Sequence, residues 1–178
     1  MLNKITSLYF TILPFITFIT SFTPLILHGH IKKGMSKNFF IFFYINCLIF
    51  NFFIKNFNLY LLHILRRAIE CLIFRYNHSK MNYIQFIHGI IYYIFLSLHL
   101  RDIEEINLPV FILLNVFQTL THILVFRYKR FVYSHYFSEF LIYLYLFYIK
   151  KSKELFYNTM YLIIFILTSI INRNKKYL

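Results

Sequence analysis

Two short stretches of this chain carry ionisable side chains in apolar surroundings. In the first, Leu59 to Phe74, His63, Arg67 and Glu70 are spaced i, i+4, i+7. That spacing puts them on one face of a helix. Arg66 and Glu70 are four apart and can pair. Two adjacent guanidinium forks held at a bilayer edge suit a phosphate or pyrophosphate. The same residues also fit a membrane-edge helix whose charges snorkel into the headgroups. In the second stretch, Tyr133 to Leu146, Glu139 lies in an apolar run with no acidic neighbour. His135 precedes it by four residues, and Tyr136 and Tyr143 flank it at i−3 and i+4. A carboxylate inside lipid is costly unless it faces a partner or a wet cavity. The alternative is interhelical hydrogen bonding that only holds a bundle together. Gln118 and His122 form a further i, i+4 pair facing a bundle interior, and Arg127 closes that run.

Other chemistries lack their residues. No HExxH and no Cys/His ligand spacing is present, so no metal site is expected; His28 and His30 sit beside Lys32 and Lys33 in a loop. Three glycines, Gly29, Gly34 and Gly89, cannot build a glycine-rich phosphate loop. Cys47 and Cys71 form no CxxC pair and imply no disulfide framework.

The elements that must position these side chains follow from composition. Of 178 residues, 60% are apolar and 14% charged, against about 25% charged in an ordinary soluble domain. One core of this size cannot bury so much apolar surface, so the expected solvent is lipid. Phe, Ile, Tyr, Asn and Lys are abundant, as in AT-rich coding, so single aromatics carry little functional information. The net charge of +13 fits basic loops beside anionic lipid. Nucleic acid is not the expected partner, because no basic amphipathic segment lies outside the apolar runs.

Six segments approach the length of a spanning helix: Ile5 to Leu27, containing Pro14 and Pro24; Phe39 to Leu62; Tyr83 to Leu100; Leu108 to Phe126; Tyr136 to Ile149; and Leu155 to Ile171. The runs are continuous rather than alternating, so they read as helices and not as barrel strands. The expected fold is all-α, a single integral membrane domain over residues 1–178 with about six spans. Residues 63–82 and 127–135 read as loops. Eleven Lys and Arg on one side against seven on the other put both termini and these two loops in the cytoplasm.

The two polar stretches together resemble the steroid 5α-reductase family, most of all its polyprenol reductase branch. The first signature reads Leu62-His63-Ile64-Leu65-Arg66-Arg67-Ala68-Ile69-Glu70-Cys71, followed by Met81 and the aromatic run Gly89 to Tyr93. The second reads Ser134-His135-Tyr136-Phe137-Ser138-Glu139-Phe140-Leu141-Ile142-Tyr143. The resemblance covers about residues 55–150. It implies a multi-pass endoplasmic-reticulum enzyme with a cytosolic C-terminus. Such an enzyme reduces, with NADPH, the α-isoprene double bond of a long polyprenoid on the way to dolichol and N-glycosylation. In that setting His63, Glu70 and Tyr136 are the expected catalytic residues, with Tyr136 or His63 as the hydrogen-bond donor to the substrate carbonyl. Arg66, Arg67, His122, Arg127, His135 and Glu139 are the expected cofactor residues.

The chain departs from the family at four places, one of them a basic Tyr-Pro-Lys-x-Arg-Lys tail that is reduced here to Asn172-Arg-Asn-Lys-Lys-Tyr-Leu. The loop from Arg127 to Ser134 is short and lacks glycine; Ser134 stands where a proline is usual; and Ile64 stands where the steroid branch has Tyr, which argues against a steroid substrate. Two rival readings are an isoprenylcysteine-methyltransferase-like enzyme, whose Arg-His-Pro element is missing around His135, and a non-catalytic membrane remnant.

Overall fold

The computed structural model describes residues 2–21, 34–74, 80–103, 106–129 and 133–174. Among these the chain is all-α, with seven α-helices: α1 (Leu2–Thr20), α2 (Ile41–Phe53), α3 (Tyr60–Ile73), α4 (Tyr83–His99), α5 (Leu108–His122), α6 (Ser134–Lys150) and α7 (Lys153–Asn174). A 3-10 turn, Lys37–Phe40, leads into α2, and a π-helical turn, Ile123–Arg127, extends α5. A two-residue antiparallel pairing joins β1 (Met35–Ser36) to β2 (Lys80–Met81). Several expected features lie outside the described residues: Pro24 and Leu27, His28 and His30, Lys32 and Lys33, Arg75, Glu104 and Glu105, Arg130, and Lys175 and Lys176.

The chain forms two compact units, residues 1–27 with 105–178, and residues 28–104. In the first, α7 packs on α1 and α6, and α5 packs on α6; in the second, α2 packs on both α3 and α4. Helix starts have local causes. Asn82 and Gln85 form a reciprocal capping box at α4, and Asn107 caps α5 ahead of Pro109.

The segment expected to cross as one span from Phe39 to Leu62 is broken. α2 ends at Phe53, Ile54 and Lys55 turn, and α3 begins at Tyr60. Asparagines hold the break. Asn51 donates to Ser97 Oγ at 2.7 Å, Asn56 to Asn51 Oδ1 at 2.6 Å, and Asn58 to the Leu100 carbonyl at 3.3 Å. Asn side chains that bond locally compete with helix continuation. The loop expected over 63–82 accordingly starts as helix, up to Ile73.

Three helices, α1, α3 and α5, expose apolar residues and bury polar ones. On α3 the exposed residues are Leu62, Leu65, Ile69, Leu72 and Ile73, while His63, Arg67 and Glu70 are buried. On α5 the exposed residues include Ile112, Leu113, Val116 and Leu120, while Asn115, Gln118, Thr121 and His122 are buried. On α1, Ile5, Leu8, Ile12 and Ile16 are exposed, with Thr6 and Thr17 buried. Helices in water turn these faces the other way. By length and apolarity, two helices suffice to cross a membrane, Leu108–Arg127 and Lys153–Ile171; the segments Lys37–Phe53 and Tyr83–His99 are apolar but shorter.

Candidate functional site

The nine expected site residues all fall within described helices or their ends, and they divide between the two units. His63, Arg66, Arg67 and Glu70 lie on α3, in the unit of residues 28–104. His122, Arg127, His135, Tyr136 and Glu139 lie on α5, its π turn and α6, in the other unit.

On α3 the expected face is formed. Glu70 accepts from both arginines, with one carboxylate oxygen on Arg66 Nη1 and the other 2.6 Å from Arg67 Nη1. Arg66 Nη2 lies 3.2 Å from His63 Nδ1. Helical spacing brings the four together, since i+3 and i+4 neighbours stack on one face. Two aromatic rings line the cluster. The Arg67 guanidinium lies over the Tyr44 ring of α2 at 5.4 Å, and the His63 ring stacks on Tyr60 at 5.4 Å. Tyr44 is in turn 3.3 Å, oxygen to oxygen, from Tyr93 of α4. Arg67, Glu70 and His63 are buried, whereas 18% of the Arg66 side chain remains exposed. Arg66 therefore sits at the seam between the polar inner face and the apolar outer stripe. Burial lowers its pKa from the ordinary value; Glu70 opposes that, and the neighbouring Arg67 adds to it. Two guanidiniums share one carboxylate, so the cluster is formally one charge positive. Guanidinium forks in such a setting are donors for a phosphate.

The Arg67 and Glu70 side chains are drawn inward rather than outward along the helix. A snorkelling arginine runs outward along the helix to reach water. Here the outward stripe of α3 is wholly leucine and isoleucine, and the charges turn inward onto Tyr44 and Tyr60.

The second group centres on the α5–α6 contact. His122 is buried, and its ring lies 5.9 Å from that of His135; Phe126 packs against both, at 5.5 and 5.6 Å. The π turn begins directly after His122 and carries Phe126. Such turns add one residue to the backbone repeat and re-aim the side chains that follow. Thr121 and Ser138 share a hydrogen bond of 2.8 Å across the helices, and Ser138 donates to the His135 carbonyl. His135 and Tyr136 pack with ring centroids 3.9 Å apart. Glu139, half-buried, interacts electrostatically with Tyr161 of α7. Arg127 is exposed, with its guanidinium 5.9 Å over the Tyr128 ring.

Three contributors escaped the sequence reading: Tyr44, Tyr60 and Tyr161. In a chain with 16 tyrosines, Tyr60 stands three residues before His63 on the same helix, a spacing the sequence does show; Tyr44 and Tyr161 are marked by no local spacing, because neighbouring helices bring them in. The neighbouring Thr121–Ser138 bond has the same origin. Comparison with protein families, with curated proteins and with solved structures finds no match for this chain.

Proposed function

We propose that this chain is a multi-pass membrane reductase that uses NADPH to saturate the α-isoprene double bond of a polyprenal or polyprenol. Six segments, α1, α2 with its leading 3-10 turn, α4, α5 with its π turn, α6 and α7, are the spans of this reading, and α3 is a membrane-edge helix. Each of the six has between 17 and 22 residues, within the spanning range of about 17–25. The apolar outer faces and buried polar residues of α1, α3 and α5 support lipid as the solvent, because lipid takes up apolar side chains and leaves polar groups to one another. The endoplasmic reticulum is the compartment this reading assigns.

The observation that carries the reading is the inward-facing cluster His63, Arg66, Arg67 and Glu70, interlocked on one helix. Its donor set fits the phosphates of a dinucleotide, with Arg66 and Arg67 as the holding groups. When bound, NADPH supplies a hydride. The chain's own groups do the rest. Glu70 fixes the orientation of both guanidiniums. Tyr136 or His63 donates a hydrogen bond to the substrate carbonyl, where negative charge develops as the double bond is reduced. Glu139 orients the donor on α6. The apolar outer faces leave the long isoprenoid tail in the bilayer.

The test is reconstitution in nanodiscs with NADPH and a polyprenal, with the saturated product measured by mass spectrometry. Wild-type protein is expected to form product. Arg67→Ala is expected to weaken NADPH binding by more than about tenfold, consistent with the loss of about 1.5–3 kcal/mol for a charged hydrogen bond, and Arg67→Lys to restore part of it. Glu139→Gln is expected to reduce turnover. Intact reduction in both Arg67→Ala and Glu139→Gln overturns the assignment. Binding of S-adenosylmethionine in place of NADPH would select the methyltransferase reading instead.

A further inference from the structure

The break between α2 and α3 shapes a cavity to which the proposed chemistry gives no role. α2 ends at Phe53, α3 begins at Tyr60, and α3 packs back on α2 instead of continuing its axis. Between them lies an open groove of about 550 Å3, within the range of about 300–1,000 Å3 for small-ligand sites. Leu48, Phe52 and Phe53 stand in its α2 wall, Leu62 and Leu65 in its α3 wall, and Phe57 of the connecting turn joins the two. Every lining side chain is apolar. Phe52 meets Phe53 and Phe57 edge-on, at 6.2 and 6.4 Å, so the three rings form one packed set. The groove belongs wholly to the unit of residues 28–104, as does the charged cluster of α3. Both walls run toward that cluster. Leu48 is one helical turn from Tyr44, over whose ring Arg67 lies, and Leu62 is one turn from Arg66. Arg66 is the cluster member that keeps 18% of its side chain exposed.

We propose that this groove seats the head-proximal isoprene units of the polyprenoid substrate, with the oxygen-bearing head toward the His63–Arg66 edge of the cluster. The inference rests on the reductase reading and deepens it, because it gives the lipid a place and a direction of entry. The polarity of the groove matches such a molecule. It is apolar along its length and has hydrogen-bond donors one helical turn beyond it. A polyprenal or polyprenol is a single apolar chain with one acceptor oxygen at its end. Its planar double bonds and methyl branches can pack on the faces of the three phenylalanine rings. A glycerophospholipid fits less well. It brings two chains and a bulky headgroup to an edge where His63, Arg67 and Glu70 are buried and Arg66 alone is partly exposed. The groove is also formed in advance of any ligand. Asn51 donates to Ser97 Oγ and Asn56 to Asn51 Oδ1, which fixes the end of α2 against α4. A pre-formed site loses less free energy to ordering when its ligand enters. The remainder of a long chain lies in the bilayer, on which the groove opens.

Photolabelling of the full chain in phosphatidylcholine nanodiscs tests this without requiring turnover. The probe is a short polyprenol carrying a diazirine near its head, and cross-linked peptides are mapped by mass spectrometry. Label is expected on residues 48–65, and excess unlabelled polyprenol should remove it. Leu62→Trp fills the groove and should cut the label by about tenfold or more, the scale of a lost fit in an apolar pocket. In the reduction assay the same variant should raise KM for polyprenal by a similar factor and leave kcat within about twofold, as loss of uniform binding does. Leu72→Trp, exposed on the same helix but outside the groove, should change neither. Leu65→Trp serves if Leu62→Trp does not fold. A straight-chain fatty alcohol probe that labels residues 48–65 equally well overturns the proposal. So does label spread evenly over the apolar faces of α1, α3 and α5, or an unchanged KM in the groove variants of an active enzyme. In each of these cases product formation by the wild-type protein keeps the reductase reading. Saturable label on residues 48–65 in a protein that reduces no polyprenal keeps the groove as a polyprenoid site and overturns the reductase reading alone.

Discussion

At the scale of single residues, the decisive contrast is between Arg66 and Arg67. Both reach Glu70, but Arg67 is buried over Tyr44 while Arg66 lies at the edge of the apolar stripe. Removing one partner of a buried ion pair strands a charge, which costs about 3–5 kcal/mol; an exposed pair contributes about 0–1 kcal/mol. Glu70→Gln strands two guanidiniums at once and is expected to be the most damaging change, at about 3–5 kcal/mol. Arg67→Ala should follow it, and Arg66→Ala should cost least, because that side chain is the least buried of the three. Unfolding in detergent, followed by helical signal against denaturant, gives the order directly. Three equal losses below about 1 kcal/mol would mean that the cluster is solvated and that the anion-holding role assigned to it is wrong.

At the scale of elements, the close approach of α2 and α4 depends on Gly89. A Cβ placed there would lie 2.6 Å from Phe43 ring atoms. That ring has little freedom to yield, since Phe40, Phe86 and Tyr93 pack around it. Gly to Ala within a helix gains about 0.5–1 kcal/mol from propensity, but overpacking costs about 1–3 kcal/mol. Gly89→Ala is therefore expected to destabilise the unit of residues 28–104 by about 1 kcal/mol. Adding Phe43→Leu should recover part of the loss, and a double-mutant cycle measures the coupling; additive effects would show that the two residues do not meet.

Much at this scale was legible from sequence and some was not. Four of the expected segments match α4, α5, α6 and α7 closely, because each is an apolar run bounded by charge, Asn or Pro. The break between α2 and α3 was not legible. Lys55, Asn56 and Asn58 interrupt the apolar run only briefly before it resumes at Leu59, and a polar bond that holds the break joins Asn51 to Ser97, 46 positions away. The polar face of α3 could be read from the spacing of His63, Arg67 and Glu70, because one helix forms it. Tyr44 and Tyr161 could not be read, because neighbouring helices bring them in.

At the scale of the whole molecule, the polarity of the helices sets their solvent, and solvent sets topology. α6 has 17 residues and is about 26 Å long, slightly shorter than a hydrocarbon core of about 30 Å. Lysines stand just beyond both of its ends, Lys129 before the segment leading into it and Lys151 after it, and both are exposed. Long basic side chains at such positions can bridge the remaining depth to the headgroups. If α6 crosses the membrane as proposed, these two positions face opposite compartments, and the proposed topology, with residues 127–135 in the cytoplasm, expects Lys129 on the cytoplasmic side. The two cysteines, Cys47 and Cys71, are both buried, so a Cys47→Ala, Cys71→Ala background is expected to fold and give little labelling. In that background Lys129→Cys is expected to react with a membrane-impermeant maleimide added from the cytoplasmic side of sealed microsomes. Lys151→Cys should react only after the vesicles are opened. Labelling of both positions from one side would show that α6 does not cross, and the six-span arrangement would fall with it.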